Sequence, residues 1–290
     1  MFPPIARPEV QGLRSSKIRD VANAGFGRPD VLAFWFGESD QPTPAFIREA
    51  AAQALVDGRT FYTHNLGTAE LRSTLAAYLA DLHGAPMDEG RLAVTSSGVS
   101  AIMLATQLVV SPGDRVVVVG PIWPNVPEAP RVLSAQAEIV PLEPSGGRWR
   151  LDLDRLLDAL TPDTRALILN SPNNPAGWTL PPEARGPVLE RCRRLGIWLI
   201  CDDVYERLNF GPGRSAPSFL PLAAPEDRLI GVNSFSKAWR MTGWRLGWMV
   251  IPPAMAERLA VLLEYNTSCA PDFLQTAAAK ALREGEPHVA

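Results

Sequence analysis

RLIGVNSFSKAWRMTGWRLGWMVI, residues 228–251, holds two short apolar runs with a polar turn between them. Arg228–Asn233 and Gly247–Ile251 read as strands, too short and too continuously apolar for surface helices. Between them Lys237 sits in a small, hydroxyl-rich turn with Ser234, Ser236 and Ala238, and Arg245 follows behind Thr242, Gly243 and Trp244. The lysine supplies an amine suited to a Schiff base, and the serines and arginine supply donors for a phosphate. That pairing is what pyridoxal phosphate asks of a protein. The alternative is an exposed lysine and arginine in a turn, and the rest of the chain decides between the two.

Working upstream, short apolar runs alternate with helical patterns from Arg91 onward. Strands are predicted at Arg91–Thr95, Arg115–Val119, Ala137–Leu142, Arg165–Asn170 and Ile197–Cys201, which with the two above makes about seven. Helices are predicted at Gly98–Val109, Asp154–Leu160 and Glu183–Leu195, the last closed by Gly196. Beyond Ile251, Met255–Glu264 and Asp272–Arg283 read as helical. Such alternation implies an α/β fold with a mostly parallel sheet covered by helices on both faces. Before Arg91, a short helix is expected around Ser15–Ala24 and a strand-like run at Val31–Phe36. A helix follows from Pro44 to about Asp57 with Thr43 as its N-cap, and another opens at Thr68.

The 290 residues suffice for one large domain or two modest ones. A net charge of −3 gives no reason to expect a nucleic-acid partner. The opening MFPPIARPEV lacks an apolar signal core, and no apolar run approaches the roughly 18 residues of a membrane span. Three cysteines without metal or redox spacing read as free thiols of a reducing, cytoplasmic compartment. His64, His83 and His288 are scattered, and no metal site is expected from them.

In open α/β sheets the ligand sits at the carboxyl ends of the strands. After Val94 comes Thr95-Ser96-Ser97-Gly98-Val99-Ser100, either a capped helix or a phosphate seat at a helix N-terminus. After Val119 comes Gly120-Pro121-Ile122-Trp123-Pro124-Asn125, whose tryptophan is either core or a flat platform for an aromatic ring. After Leu169 comes NSPNNPAG, a loop in which Asn174 is a candidate donor to a ligand oxygen. After Ile200 comes Cys201-Asp202-Asp203-Val204-Tyr205, where an acid ends a buried strand and needs a partner, a helix cap, a cation or a protonated ring nitrogen. Together these strand ends assemble what a phosphorylated pyridine aldehyde requires.

On these strings, with GESD at Gly37 and the Tyr62–Gly67 loop, the chain resembles the class I/II aminotransferases of the fold-type I pyridoxal-phosphate enzymes, related to aspartate and aromatic aminotransferases. The resemblance runs from about residue 31 to 251, in the family's order, and SFSKAWRMTGWRLG at Ser234 is its most specific part. It implies a mostly parallel seven-stranded sheet flanked by helices, with pyridoxal 5'-phosphate as cofactor. Lys237 is then the Schiff-base lysine and proton shuttle, and Asp202 holds the pyridine nitrogen protonated. Tyr205 and Asn174 bond the ring oxygen, and Trp123 stacks on the ring. Ser97, Gly98 and Val99 seat the phosphate, with Ser234, Ser236 and Arg245 completing the clamp. Tyr62 resembles the tyrosine lent to a neighbouring subunit's phosphate, which implies a homodimer. Gly37, with Trp123 and Asn174, is expected to meet the substrate, an L-amino acid or a 2-oxo acid.

Two departures stand out. Val99 occupies a position where relatives often carry Lys or Thr. The family's small C-terminal domain, with its arginine for the substrate α-carboxylate, is largely absent, and the chain reads as C-terminally truncated. The division expected is an N-terminal arm with part of the small domain at 1–40, the large cofactor-binding domain at 41–275, and the start of the interdomain segment at 276–290. Three other readings stay open: a lyase or decarboxylase on the same scaffold, a non-catalytic pyridoxal-phosphate-binding module, and an inactive fragment.

Overall fold

The structure is a computed structural model and describes residues 5–13 and 15–289. Its sheet strands follow the predicted runs to within a residue or two. They are β1 (Leu92–Thr95), β2 (Arg115–Gly120), β3 (Gln136–Pro141), β6 (Thr164–Asn170), β7 (Trp198–Asp202), β8 (Leu229–Ser234) and β9 (Gly247–Val250). A hairpin, β4 (Glu143–Ser145) and β5 (Arg148–Arg150), stands apart from them. The seven-stranded sheet has the order β1-β9-β8-β7-β6-β2-β3. The five strands from β8 to β3 run parallel, and β9 is antiparallel to both β8 and β1. The lysine turn, residues 235–246, returns the chain with no covering α-helix, and β9 pairs antiparallel with β8.

Continuous apolar strands mean two buried faces. Val116, Val118, Ile168, Ile200 and Val232 point to one face, which the Gly98–Val109, Asn125–Val132 and Ala256–Glu264 helices cover. Val117, Val119, Leu167 and Leu199 point to the other, beneath the Leu153–Ala159 and Pro182–Leu195 helices. On that same side Leu92, Val94, Trp248 and Val250 lie under the Ala45–Val56, Ala69–His83 and Asp272–Glu284 helices. Strand register brings Asn170 opposite Asp202, Asp202 opposite Val232, and Ser234 opposite Gly247, so the polar strand ends converge. Among the described residues, no helix is long and apolar enough to cross a membrane.

Two local expectations need correction, and two elements appear that the sequence does not predict. Val31–Phe36 forms no strand: Leu32 and Phe34 are exposed, and the Trp35 ring lies so close to Gly25 that a Cβ there would meet it at 2.5 Å. The run therefore docks through the Trp35 and Phe36 rings rather than through a ladder. Thr43 does not cap the following helix. Its Oγ1 instead donates to the Arg240 carbonyl at 2.6 Å and accepts from Trp244 Nε1 at 2.9 Å, tying the helix entry to the lysine turn. The helix Asn125–Val132 is not expected from the sequence, because Pro127 and Pro130 argue against one. The β4–β5 hairpin is not expected either, although Gly146 and Gly147, with φ of +58° and +74°, form the glycine pair that such a turn favours.

Candidate active site

The strand ends open into a cavity of about 710 Å³, within the range of small-molecule sites. At the end of β1, Ser97 Oγ accepts from Ser100 N at 3.0 Å and caps the Gly98–Val109 helix, whose first residues line the cavity. The backbone there is packed tightly against β8 and β9. A Cβ at Gly247 would sit 2.7 Å from the Asn233 carbonyl and 2.8 Å from Gly98 N, and one at Gly98 would sit 3.1 Å from Ser234 Cβ. Buried Ser234 and Ser236 share a hydroxyl–hydroxyl bond of 2.8 Å beside this helix terminus. Arg245 lines the same end with an exposed side chain. Its backbone is held at φ +54°, and its guanidinium donates to the Thr242 carbonyl. Helix N–H groups, two hydroxyls and a guanidinium are the donors that an anion seat would use.

Lys237 reaches into the cavity and donates from Nζ to the Gly37 carbonyl at 2.6 Å. Burial chiefly, with Arg245 adding to it, holds its pKa below the ordinary lysine value, against the opposing pull of Glu38 and Asp202. An amine so placed gives up its proton more readily than a free lysine.

Asp202 ends β7 with 3% of its surface exposed. Its one side-chain hydrogen bond among the described residues comes from Val204 N at 3.2 Å. Burial pushes its pKa up to about 7, with the Val204 amide and the Lys237 charge pulling weakly the other way. A buried carboxyl with so little support, facing a cavity, awaits a cationic or donor partner. Nearby, Asn174 Nδ2 donates to Tyr205 Oη at 3.3 Å, and burial raises the Tyr205 pKa. Asn170 sets this loop: its Oδ1 accepts from Asn174 N at 2.8 Å and its Nδ2 donates to the Asp202 carbonyl at 3.1 Å. Half-buried Trp123 is bound to the same loop, its backbone N–H donating to the Asn174 carbonyl at 2.8 Å.

Gly37, Gly98, Val99, Trp123, Asn174, Asp202, Tyr205, Ser234, Ser236, Lys237 and Arg245 all line the one cavity. Ser97 stands just behind, as the helix cap. Tyr62 does not join them: its side chain is 91% exposed and lies outside the cavity. The wall also holds groups that sequence reasoning missed. Glu38 accepts from Thr242 Oγ1 at 3.0 Å, and the Arg19 guanidinium sits 4.9 Å over the Phe36 ring. Glu38 lies inside a string already singled out, whereas nothing in the arm points to Arg19.

The family model for aminotransferase class I and II matches residues 29–289. The chain belongs to the class I and II aminotransferases. It is 31% identical to an aspartate aminotransferase of Pyrococcus horikoshii over 94% of its own length and 69% of that relative. It is 34% identical to an arginine–pyruvate transaminase of Pseudomonas aeruginosa, over 90% of this chain and 65% of that one. A solved aspartate aminotransferase of Thermus thermophilus, a single mutant, superposes with a TM-score of 0.89 at 30% identity. That match covers 99% of this chain and 75% of the solved one. Members of the family are transaminases that use pyridoxal 5'-phosphate, and the residues here fit that group. The weakly supported Asp202 carboxyl suits a pyridine nitrogen, and the seat at Gly98, Ser234, Ser236 and Arg245 suits a phosphate.

Proposed function

We propose that the chain binds pyridoxal 5'-phosphate at Lys237 and transfers an amino group between an L-amino acid and a 2-oxo acid. The observation that carries this reading is the buried Asp202 carboxyl, titrating near pH 7 and lacking a strong partner, in one cavity with a depressed-pKa lysine and an anion seat. When bound, the cofactor supplies an electron sink for the substrate's α-carbon.

The protein's part follows from its geometry. Asp202, once it faces a ring nitrogen, ionises and keeps that nitrogen protonated. Asn174 Nδ2 and Tyr205 Oη, 3.3 Å apart on the cavity wall, would hold a ring oxygen. The Trp123 indole, on the cavity wall, would flank the ring. Lys237, released from the Gly37 carbonyl, holds and returns the proton taken from the substrate's α-carbon. Gly37, Trp123 and Asn174 flank the space left for substrate. The exposed Phe61–Tyr62 pair, at 82% and 91%, supports a homodimer in which Tyr62 reaches the partner's phosphate seat.

Adding pyridoxal phosphate to the purified chain should produce a visible absorption band, and borohydride should lock the cofactor covalently onto Lys237. Lys237→Ala should lose that covalent capture. One or more amino acids from a panel should then convert the band to that of pyridoxamine phosphate. A band that no amino acid shifts removes the transferase reading and leaves a binding module.

A further inference from the structure

A second group of ionisable residues lies behind the cavity, outside its lining. His83, the last residue of the Ala69–His83 helix, places Nε2 3.3 Å from Glu206 Oε2, with 4% and 3% of the two side chains exposed. Glu206 Oε1 accepts from Asn233 Nδ2 at 2.6 Å. Asn233 Oδ1 in turn accepts from Ser234 N at 2.7 Å. Ser234 Oγ then accepts from Ser236 N at 3.0 Å and donates to Ser236 Oγ at 2.8 Å. A continuous polar chain thus runs from a helix end to the phosphate-facing hydroxyls, one residue short of Lys237.

Position in the sequence gives the chain its meaning. Glu206 directly follows Tyr205, and Asn233 directly precedes Ser234. The Glu206–Asn233 bond therefore ties the turn that carries Asp202 and Tyr205 to the turn that carries Ser234, Ser236 and Lys237. We propose that His83, Glu206 and Asn233 are positioning residues that set the spacing between the ring-facing and phosphate-facing halves of the site. This rests on the reading of the cavity as the pyridoxal-phosphate seat.

The surrounding charges agree with that role. Asp203 also faces Glu206. Burial first and then Glu206 raise its pKa, with the bond from Ser218 Oγ and the nearby His83 opposing. Burial lowers the His83 pKa, but the contact with Glu206 and the nearby Asp203 more than offset this and leave it raised, against the opposing Arg185 charge. His83 faces one oxygen of Glu206 while the other accepts from Asn233 in a buried place. Tyr78 and Arg207 border the same cluster, bonded to each other at 2.7 Å. A buried ion pair adds little net stability compared with apolar packing. Its value here is that Glu206 Oε1 is fixed on Asn233 while Oε2 faces the His83 ring at 3.3 Å.

The test is a pyridoxal-phosphate titration of the full chain, with Glu206→Gln, Asn233→Ala, the double variant, and Leu75→Ala as a stability control. Leu75 is fully buried on the same helix as His83 and belongs to the apolar core rather than to the polar chain. Each single relay variant should raise the dissociation constant ~10-fold, the size seen when outer partners of a bound group are lost. The double variant should do no more than the worse single, because both cut one chain. The pH at which the visible band changes should move in Glu206→Gln but not in Leu75→Ala. If Glu206→Gln does not fold, His83→Gln reads the same chain from its outer end, with the same expected loss. Unchanged affinity in the variants, multiplying effects in the double variant, or an equal loss in Leu75→Ala would each overturn the relay. A wild-type chain that does not bind pyridoxal phosphate overturns the cavity reading itself.

Discussion

Replacing Asp202 with asparagine should make the ligand-free protein more resistant to denaturant at alkaline pH while loosening its grip on pyridoxal phosphate. In the folded chain the carboxyl titrates at about 7 instead of 3.8. The folded state therefore holds a proton that the unfolded state has released, and stability falls as pH rises from near 4 to near 7. A displacement of that size is worth about 4 kcal/mol at pH 8 and about 1.5 kcal/mol at pH 5, at ~1.4 kcal/mol per pH unit. Water in the cavity relieves part of it, so about half is a fairer figure. The Asp202→Asn side chain would keep the bond from Val204 N, 3.2 Å long in the native chain, without the ionisation penalty. The variant's advantage over wild type, whatever its absolute size, should grow by about 1–2 kcal/mol between pH 5 and pH 8. Neighbouring Asp203 titrates in both proteins, and because the Asp202 charge helps raise its pKa, the difference reports position 202 together with its effect on Asp203. Urea unfolding of the two ligand-free proteins at both pH values measures it. Saturating pyridoxal phosphate should reverse the order, since only wild type offers the ring nitrogen a counter-charge. A gap between the proteins that does not change with pH, or that narrows toward pH 8, would show that the Asp202 carboxyl is not held un-ionised by burial.

Three further outcomes follow from the same geometry. Arg245→Ala should raise the dissociation constant for pyridoxal phosphate about 10–100-fold, the range of a hydrogen bond to a charged group, and Arg245→Lys should restore only part of it because an ammonium lacks the planar fork; titration of the visible band measures both. Gly247→Ala drives a methyl to within 2.8 Å of the Asn233 carbonyl and Gly98 N, so it should lower unfolding stability by about 1–3 kcal/mol and weaken cofactor binding together. Gln275→Ala strips partners from Thr68 N at 2.7 Å, Ala270 O at 2.7 Å and Thr63 Oγ1 at 3.0 Å in a fully buried place. It should therefore cost about 1–3 kcal/mol by urea unfolding with the cofactor affinity intact.

The strands were legible because they are buried on both faces, which makes each a continuous apolar run that no amphipathic helix imitates. The candidate cavity was legible for a related reason. Parallel strands end on one side, so Gly98, Trp123, Asn174, Asp202 and Lys237, each standing after an apolar run, come to line one cavity. Elements without such a rule were misread, as Val31–Phe36 shows, where a local β-like pattern has no strand to pair with.

By itself, then, the sequence determined the strand runs, their order along the chain and the polar groups that follow each run, since each depends on residues within a few positions of one another. Only the tertiary structure decided what spans long separations. It brings Arg19 and Glu38 to the wall of the cavity and leaves Tyr62 outside it. It also joins His83, scattered and unremarked along the chain, to Glu206 and through Asn233 to the lysine turn. It decided the titration of Asp202 and Lys237 as well, because a pKa answers to burial and to charges that packing, not sequence spacing, brings near.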